Sequence, residues 1–203
     1  MTNLEILKLC YLLGSISFIV GLKMLSKPDS AKRGNLFAGI GMGIAILGTI
    51  LFHENEYGER IGNLGFIIGG IILGTVVGYL AAMKVKMTQM PQMVSLFNGM
   101  GGACAALIGI VEMSTHHPDL WGERLIIFLG LMIGTVSFAG SMIAYGKLEG
   151  KIKDYGSKFQ QIFNNTFVFA IVALIVYASL NTEFLGANVI WLIFGASLLY
   201  GVL

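Results

Sequence analysis

The stretch LGFIIGGIILGTVVGYLAAM, residues 64–83, contains no charged side chain and decides the class of this protein. A helix of this length spans a bilayer core of about 30 Å. The segment must be helical there, because lipid offers the backbone no hydrogen-bond partners. Similar runs precede and follow it along the 203 residues, separated by short polar gaps. The sequence therefore predicts an all-α fold, a polytopic membrane helix bundle.

Seven such segments are predicted along the chain. They cover residues 4–24, 36–52, 64–83, 92–112, 124–145, 166–180 and 187–203. The second and sixth are short, which favours their extension into the polar residues that flank them. The seventh is still apolar at Leu203. We therefore expect residues 1–203 to form one transmembrane domain of a longer protein.

Composition supports the membrane assignment and excludes other classes. The chain is 56% hydrophobic and 12% charged, with a mean hydropathy of +0.80, whereas soluble domains average about 25% charged residues. The net charge of +2 and the absence of a dense basic run argue against nucleic-acid binding. Cys10 and Cys104 both lie inside apolar segments, where a cysteine is a small packing residue.

The basic residues alternate between the gaps and predict an orientation. Three alternate gaps hold most of them: Lys23, Lys27, Lys32, Arg33, Lys84, Lys86, Lys147, Lys151, Lys153 and Lys158. The opposite side holds only Lys8, Arg60 and Arg124. Because cytoplasmic loops of membrane proteins are rich in Lys and Arg, the first group is predicted to be cytoplasmic and the N-terminus to lie outside.

Glycines four residues apart mark predicted helix-packing seams. Small residues at this spacing line one helix face and let a second backbone approach closely. The third segment carries Gly65, Gly69, Gly70, Gly74 and Gly78, the fifth Gly130 and Gly134, and the second Gly39 and Gly43. Gly101 and Gly102 of the fourth segment belong to the same class. On this hypothesis a large side chain at Gly74 destabilises the bundle.

The fourth segment carries Asn98, the strongest polar group deep inside any predicted span. It shares one helix face with Ser95, Gly101, Gly102, Ala105 and Gly109, which are three or four residues apart. Two interpretations stay open. Asn98 either bonds a neighbouring helix as structural glue, or holds water in a proton or solute path. An amide does not titrate, so this chain by itself offers no complete proton relay.

The other candidates lie at the ends of the spans. Glu112 and Glu123 bracket one outer loop, as solvated interface residues or as groups that exchange protons with the path. His116, His117 and Asp119 lie between them, but their spacing is not that of a metal site. The glycines lie in membrane helices and do not form a phosphate-binding loop. We therefore assign no catalytic residue, metal ligand or cofactor-binding residue to this chain.

The run VKMTQMPQMVSLFNGMGG, residues 85–102, resembles the start of a membrane helix in the beta subunit of proton-translocating NAD(P) transhydrogenase. Residues 21–34, with their Ser-Lys-Pro and Ala-Lys-Arg-Gly turns, are similar to the same subunit. So are residues 134–151, from GTVSFAGS to GKLEGK. The resemblance covers nearly the whole chain in order.

The resemblance implies an enzyme that moves a hydride between NAD(H) and NADP(H) and couples this to proton passage across the membrane. NAD would bind a domain of the alpha subunit, and NADP a soluble domain at the C-terminus of the beta subunit. The partners implied are the alpha subunit with its own membrane helices, the NADP-binding domain, the lipid bilayer, and a second alpha–beta unit in a homodimer. The implied location is the cell inner membrane, with multiple passes.

This chain differs from the family pattern in two respects, its C-terminal extent and the residue at position 98. The beta subunit normally continues through two more helices, with a Gly-Gly-x-Asp-Met-Pro motif between them, and then the NADP domain. Some relatives carry a histidine at the position of Asn98, whereas others have Asn and place the histidine on an alpha-subunit helix. Asn98 fits the second group.

The alternative functions are a small secondary transporter or channel-like protein without a redox partner, and a purely structural membrane subunit.

The charge pattern gives a direct test of orientation. Single cysteines introduced at Lys32 and Ser157 are expected to react with a membrane-impermeant thiol reagent from the cytoplasmic side, and one at Asn55 from the outside. Labelling of intact cells against inverted vesicles separates the two faces. The inverted pattern would remove the cytoplasmic NADP domain from the hypothesis.

Overall fold

The computed structural model describes residues 2–54, 61–116, 118–153, 158–181 and 187–203. These ranges hold seven α-helices: α1 (Asn3–Leu25), α2 (Pro28–Phe52), α3 (Leu64–Lys84), α4 (Met90–Thr115), α5 (Trp121–Leu148), α6 (Lys158–Leu180) and α7 (Ala187–Val202). Six of them are long and apolar enough to cross a membrane, and α7 is shorter. The predicted all-α fold is confirmed. Asn55, Arg60, His117 and Ser157 lie outside the described residues.

The two short predicted segments are the ones that lengthen most. Helix α2 begins at Pro28 and α6 at Lys158, each eight residues before the apolar core that defined it. Pro28 suits the first helical turn, where its missing N–H leaves no bond unmade, and Asp29 complements the helix dipole. Hydropathy underestimates such helices, because lysine and arginine near a helix end extend their charged groups to the interface while the backbone stays helical.

Residues 1–83 form one compact unit, built around an antiparallel pair of α1 and α2. Thr2 and Glu5 form a capping box at the start of α1. Asn3 Nδ2 donates to Glu54 Oε1 at 2.6 Å, which joins the start of α1 to the end of α2. Within the spans, Ser17 Oγ donates to the carbonyl of Phe37 at 2.8 Å. These bonds fix the register of the two helices.

The α1–α2 seam uses glycines seven residues apart. These are Gly14 and Gly21 on α1, with Gly34, Gly41 and Gly48 on α2. A β-carbon built at Gly41 would lie 2.6 Å from the carbonyl oxygen of Gly14, and one built at Gly21 would lie 2.7 Å from that of Gly34. The contact is therefore backbone against backbone. Gly39 and Gly43, which the four-residue spacing singles out, have nothing within 4 Å of such a carbon among the described residues.

Helix α3 has no buried residue in the described part of the chain. Its glycines at 65, 69, 70, 74 and 78 all face open space, since no described atom lies within 4 Å of a β-carbon built on any of them. The packing role assigned to this ladder stays a prediction.

Residues 84–203 form the second compact unit, in which α5 is the central helix. Helix α4 packs along α5 as an antiparallel pair, and α6 and α7 pack against α5 and each other. The fully buried side chains of this core include Phe128 and Leu131 from α5, Ile171 and Ile175 from α6, and Ile193 from α7.

Polar side chains join the helix ends of this second unit. At one end, Gln92 Nε2 donates to the carbonyl of Leu148 at 3.2 Å, and Gln160 Nε2 to that of Leu203 at 2.8 Å. The starts of α4 and α6 therefore lie at the same end as the close of α5 and α7. Lys147 lies at this end, in the last turn of α5. The sidedness of the charges, and which end faces the cytoplasm, stay predictions.

Arg124 marks the opposite end and is buried, with 4% of its surface exposed. Its Nε donates to the carbonyl of Ser179 at 2.9 Å, and Nη1 donates to those of Pro118 and Asp119 at 3.3 and 3.1 Å. Ser179 lies in the last turn of α6, where carbonyls lack helical partners and the dipole favours a cation. The sequence marks Arg124 only as the first residue of a predicted span and a basic residue on the lysine-poor side, whereas the structure shows that it joins α5 to α6.

The glycine seam of the first unit predicts a sharp difference between two neighbouring positions. Gly41→Leu forces a side chain into the backbone of α1 and is expected to lower the free energy of unfolding by about 1–3 kcal/mol or more. Gly43→Leu, the matched control on the other face of α2, is expected to change it far less. Thermal unfolding of the purified full-length protein measures both. Equal losses would show that Gly41 is not at the seam.

Candidate functional site

The polar cluster of the second unit lies where α4 meets α5. Asn98 Nδ2 donates to Ser141 Oγ at 2.9 Å and to Ser137 Oγ at 3.5 Å. Ser95, one turn before Asn98, donates its hydroxyl to the carbonyl of Ser141 at 2.7 Å. Two side chains of α4 thus converge on Ser141 of α5, of whose surface only 8% is exposed.

Glycines allow this cluster to form, because they bring the two backbones together. A β-carbon built at Gly102 would lie 2.7 Å from both the carbonyl oxygen of Gly134 and the amide nitrogen of Phe138. One built at Gly134 would lie 2.6 Å from the amide nitrogen of Ala106. Any larger residue at these two positions would separate the helices. The short side chains of Asn98 and Ser141 reach each other only at this spacing.

Beside the cluster runs a groove of about 500 Å³ between the two helices. Its lining residues are mostly small: Phe97, Asn98, Gly101, Gly102, Ala105, Gly130, Ile133, Gly134 and Ser137. A β-carbon at Gly101 or Gly130 would meet nothing within 4 Å among the described atoms, so these two glycines shape the groove and do not close the contact. Asn98 is an exposed residue on its wall. The groove therefore offers one polar end and an otherwise apolar surface.

The sequence groups Gly101, Gly102, Gly130 and Gly134 as packing glycines, but in the structure they occupy two different environments. Gly102 and Gly134 lie at the α4–α5 contact, whereas Gly101 and Gly130 line the groove. Their separate roles follow from one residue of helical rotation, about 100°. Spacing alone does not reveal which of two adjacent glycines faces the neighbouring helix.

Glu112 and Glu123 are not part of this cluster. Glu112 lies one turn from the end of α4, where one carboxylate oxygen is 3.4 Å from Nδ1 of His116. Glu123 lies in the first turn of α5, next to the buried Arg124. Along α4, Asn98 and Glu112 are 14 residues apart, a rise of about 21 Å. The apolar contact of Gly109 with Leu131 lies between them, so the described helices hold no continuous polar path.

Ser137 and Ser141 are the site residues that sequence reasoning missed as candidates. They are four residues apart in α5, which places both hydroxyls on one helix face inside a predicted span. That spacing was a usable signal. Serine is common in membrane helices, however, where its hydroxyl often bonds its own backbone, so the signal has low specificity.

The described residues show no arrangement for a metal ion. No group of three or more His, Cys, Asp or Glu side chains comes together among them. His116 bonds Thr115 Oγ1 through Nδ1 at 3.0 Å, beside Glu112. Cys10 packs at the α1–α2 seam against Gly48, and Cys104 is exposed on α4, both with free thiols.

A known family model covers nearly all of this chain. Residues 7–203 match the family model described as NAD(P) transhydrogenase beta subunit. This chain belongs to that family. Two relatives from Rhodospirillum rubrum, both described as NAD(P) transhydrogenase subunit beta, are each 35% identical to it over 153 residues. The matched region is 70% of this chain and 31% of each relative, so the chain spans about a third of the length of the curated relatives it matches.

Six helices long and apolar enough to cross a membrane, together with membership in this family, indicate a multi-pass membrane protein. The family description names NAD(P). The described part of this chain is helical, with no strand-to-helix turn of the kind that holds a dinucleotide phosphate. The described residues therefore do not fit a nucleotide. The cluster at Asn98 consists of amide and hydroxyl groups and does not resemble a nucleotide site.

Adjacent glycines give a test of the α4–α5 contact. Gly102→Ala places a β-carbon against backbone atoms and is expected to lower the free energy of unfolding by about 1–3 kcal/mol. Gly101→Ala opens onto the groove and is expected to be neutral or to stabilise by up to about 1 kcal/mol, the helix-propensity gain of alanine. Thermal unfolding of the purified protein measures both. If Gly101→Ala proved more destabilising than Gly102→Ala, the face of α4 that contacts α5 would not be the one described.

Proposed function

We propose that this chain is the membrane part of a transhydrogenase beta subunit through which protons cross, with Asn98 as the central water-holding residue. The observation that carries the proposal is the bond from Asn98 to Ser141 across the α4–α5 seam, supported by Ser95. Polar groups at this depth of a membrane protein usually face a wet cavity or the bundle interior. Here they stand at the end of a groove that a water molecule can reach.

The chemistry of the cluster suits the orientation of water. The amide nitrogen of Asn98 donates to Ser141 and Ser137, which leaves its side-chain oxygen free to accept a hydrogen bond from water, and Asn98 lines the groove. A hydroxyl both donates and accepts, so Ser141 can continue a chain of hydrogen bonds that begins at Asn98. Neither group changes charge at ordinary pH. The titrating group is therefore proposed to come from a membrane helix of the alpha subunit.

Glu112 and Glu123 are proposed to exchange protons with solvent at the far end of the spans. One carboxylate oxygen of Glu112 lies 3.4 Å from Nδ1 of His116, and both side chains are exposed at the end of α4. The rise of about 21 Å from this pair to Asn98 is too long for one water. Helices from outside the described residues are proposed to supply the middle of the path.

The proposed assembly follows from the length of the relatives, which are about three times as long as the matched region. We propose that residues 1–203 are the first transmembrane part of the subunit, followed by further helices and an NADP-binding domain. The subunit would join an alpha subunit that binds NAD, in a dimer of alpha–beta units in the cell inner membrane. Proton passage would be coupled there to hydride transfer between NAD(H) and NADP(H). The family match favours this function over a transporter or a purely structural subunit.

Asn98→Leu tests the central residue. In the full enzyme reconstituted into vesicles, it is expected to depress proton pumping during reverse transhydrogenation. A lost hydrogen bond of about 1–3 kcal/mol in the path corresponds to a roughly 5- to 150-fold slower step. Asn98→Ser and Ser141→Ala are expected to be milder, since part of the hydrogen bonding survives. The quantity to measure is the pumping rate per assembled enzyme.

Two controls make the result specific. Met100→Leu changes an exposed apolar residue of the same helix and is expected to leave pumping intact. Hydride exchange between the isolated soluble domains is expected to be unaffected by any membrane variant. If Asn98→Leu assembles normally and pumps at the wild-type rate, Asn98 is structural glue and protons take another route.

A further inference from the structure

Two rows of polar side chains lie between α4 and α5 at the lysine-rich end of the second unit, where α4 begins and α5 closes. The α4 row consists of residues three apart and therefore on one helix face: Gln92, Ser95 and Asn98. The α5 row consists of residues four apart: Ser141, Tyr145 and Glu149. Each row follows its helix from the depth of Asn98 to the helix end.

Hydrogen bonds join α4 to α5 along the whole α4 row. Gln92 Nε2 donates to the carbonyl of Leu148 at 3.2 Å. Ser95 donates to the carbonyl of Ser141 at 2.7 Å, and Asn98 Nδ2 donates to Ser141 Oγ at 2.9 Å. These bonds cover six residues of α4, a rise of about 9 Å. The contact between the helices is therefore polar from Asn98 to the end of α4.

Gln92 carries an acceptor in this contact that the described residues do not use. Its Oε1 atom is buried and has no hydrogen-bond partner among them. Burial of such an atom without a partner is costly, and an internal water usually supplies the bond. Ser95 is the next residue of the row, and β-carbons at this spacing are about 5–6 Å apart, a gap that one water bridges. Gln92 and Ser95 therefore suit a bound water.

The α5 row ends in a carboxylate. Tyr145 donates its hydroxyl to Glu149 Oε1 at 2.8 Å, and Glu149 also pairs with Lys151. The bond from Lys151 and then that from Tyr145 hold the pKa of Glu149 below its ordinary value, so the carboxylate is ionised and accepts from the tyrosine. Because 27% of the Glu149 side chain is exposed, the same group also reaches solvent.

No comparable row leads from Asn98 toward the opposite end in the described parts of the two helices. Residues 99–111 of α4 are glycine, alanine, one cysteine and larger apolar residues. Between Leu125 and Val136, α5 carries only Thr135 as a polar residue. Its hydroxyl is fully buried and donates to the carbonyl of Leu131 at 2.7 Å. Asn98 is therefore the inner limit of the polar contact.

We propose that the two rows form a half-channel that connects Asn98 with water at the lysine-rich end only, and that Glu149 exchanges protons with solvent there. This rests on the proposed function of Asn98 and adds the direction of access. A proton moves when one O–H bond breaks as the next forms. Tyr145 passes its proton to the carboxylate of Glu149 and takes another from water, so only the carboxylate changes charge.

Cysteine labelling tests access from one side. The full enzyme is reconstituted into vesicles with Cys10 and Cys104 replaced by alanine. A charged, membrane-impermeant thiosulfonate reagent is then added to one face at a time. Ser95→Cys and Ser141→Cys are expected to react from the lysine-rich side.

Two matched variants control the labelling. Val94 lies at the depth of Ser95 on the exposed face of α4, with 63% of its surface exposed in the described chain for the Val94→Cys comparison. A thiol in apolar surroundings forms little of the reactive thiolate, so Val94→Cys is expected to react at least about tenfold more slowly than Ser95→Cys. Thr135→Cys, a buried hydroxyl position of α5 beyond Asn98, is expected to stay unlabelled from either side.

Proton pumping tests the end of the α5 row. Tyr145→Phe removes the hydroxyl and keeps the ring, and Glu149→Gln removes the charge. Each is expected to slow pumping per assembled enzyme by roughly 2- to 12-fold, the effect of one hydrogen bond in the path, while labelling of Ser95→Cys continues. Glu149→Asp is expected to restore part of the rate. Asp29→Asn removes an exposed carboxylate of the first unit and is expected to leave pumping unchanged.

Three results would overturn the proposal. Equal labelling of Ser95→Cys and Val94→Cys would show that the rows are dry. Faster labelling of Ser141→Cys from the opposite side would place the opening at the other end. Wild-type pumping by both Tyr145→Phe and Glu149→Gln would remove the carboxylate from the path. If the labelling is as expected but Asn98→Leu pumps at the wild-type rate, the half-channel is supported and the proposed proton role of Asn98 fails.

Discussion

Close approach of backbones at glycine is the constraint on which the rest of this structure depends. Lipid tails are as apolar as leucine, so no hydrophobic force drives one membrane helix onto another. Association then relies on van der Waals contact and on hydrogen bonds between helices, both of which are short in range. In this chain Gly41 meets the backbone of Gly14 in the first unit, and Gly102 meets that of Gly134 in the second.

The polar site is a consequence of that contact. Asn98, Ser95 and Ser141 have short side chains, and their bonds of 2.7–2.9 Å span two helices only because Gly102 and Gly134 remove the β-carbons between them. The groove at Gly101 and Gly130 has the same origin, since missing side chains at a seam leave a channel beside it. Packing and the proposed proton chemistry therefore share one set of residues. A substitution at the α4–α5 contact therefore changes both the packing and the polar site. Comparing Gly101, which lines the groove, with Gly102, which lies at the contact, separates the two effects.

The two charged ends of the second unit are built in different ways. At one end Arg124 is buried and held by three carbonyls, including one at the C-terminal end of α6, where a cation compensates the helix dipole. At the other end a glycine turn after α5 presents Lys153 at the mouth of an apolar cavity. The first charge is internal and structural, whereas Lys153 is exposed at the rim of the cavity. Net charge and the count of lysines do not distinguish these roles.

Hydropathy by itself determined the fold class and the seven helices, because lipid forces every long apolar run to be helical. The resemblance of residues 85–102 indicated the family, and the depth of Asn98 singled it out as a polar site. Only the tertiary structure decided which face of each helix is used. The four-residue spacing pointed to Gly39 and Gly43, whereas the α1–α2 seam uses Gly34, Gly41 and Gly48. Ser141 as the partner of Asn98 and the burial of Arg124 also required the fold. A one-residue step rotates a side chain by about 100°, and the neighbour it then meets comes from a distant part of the chain.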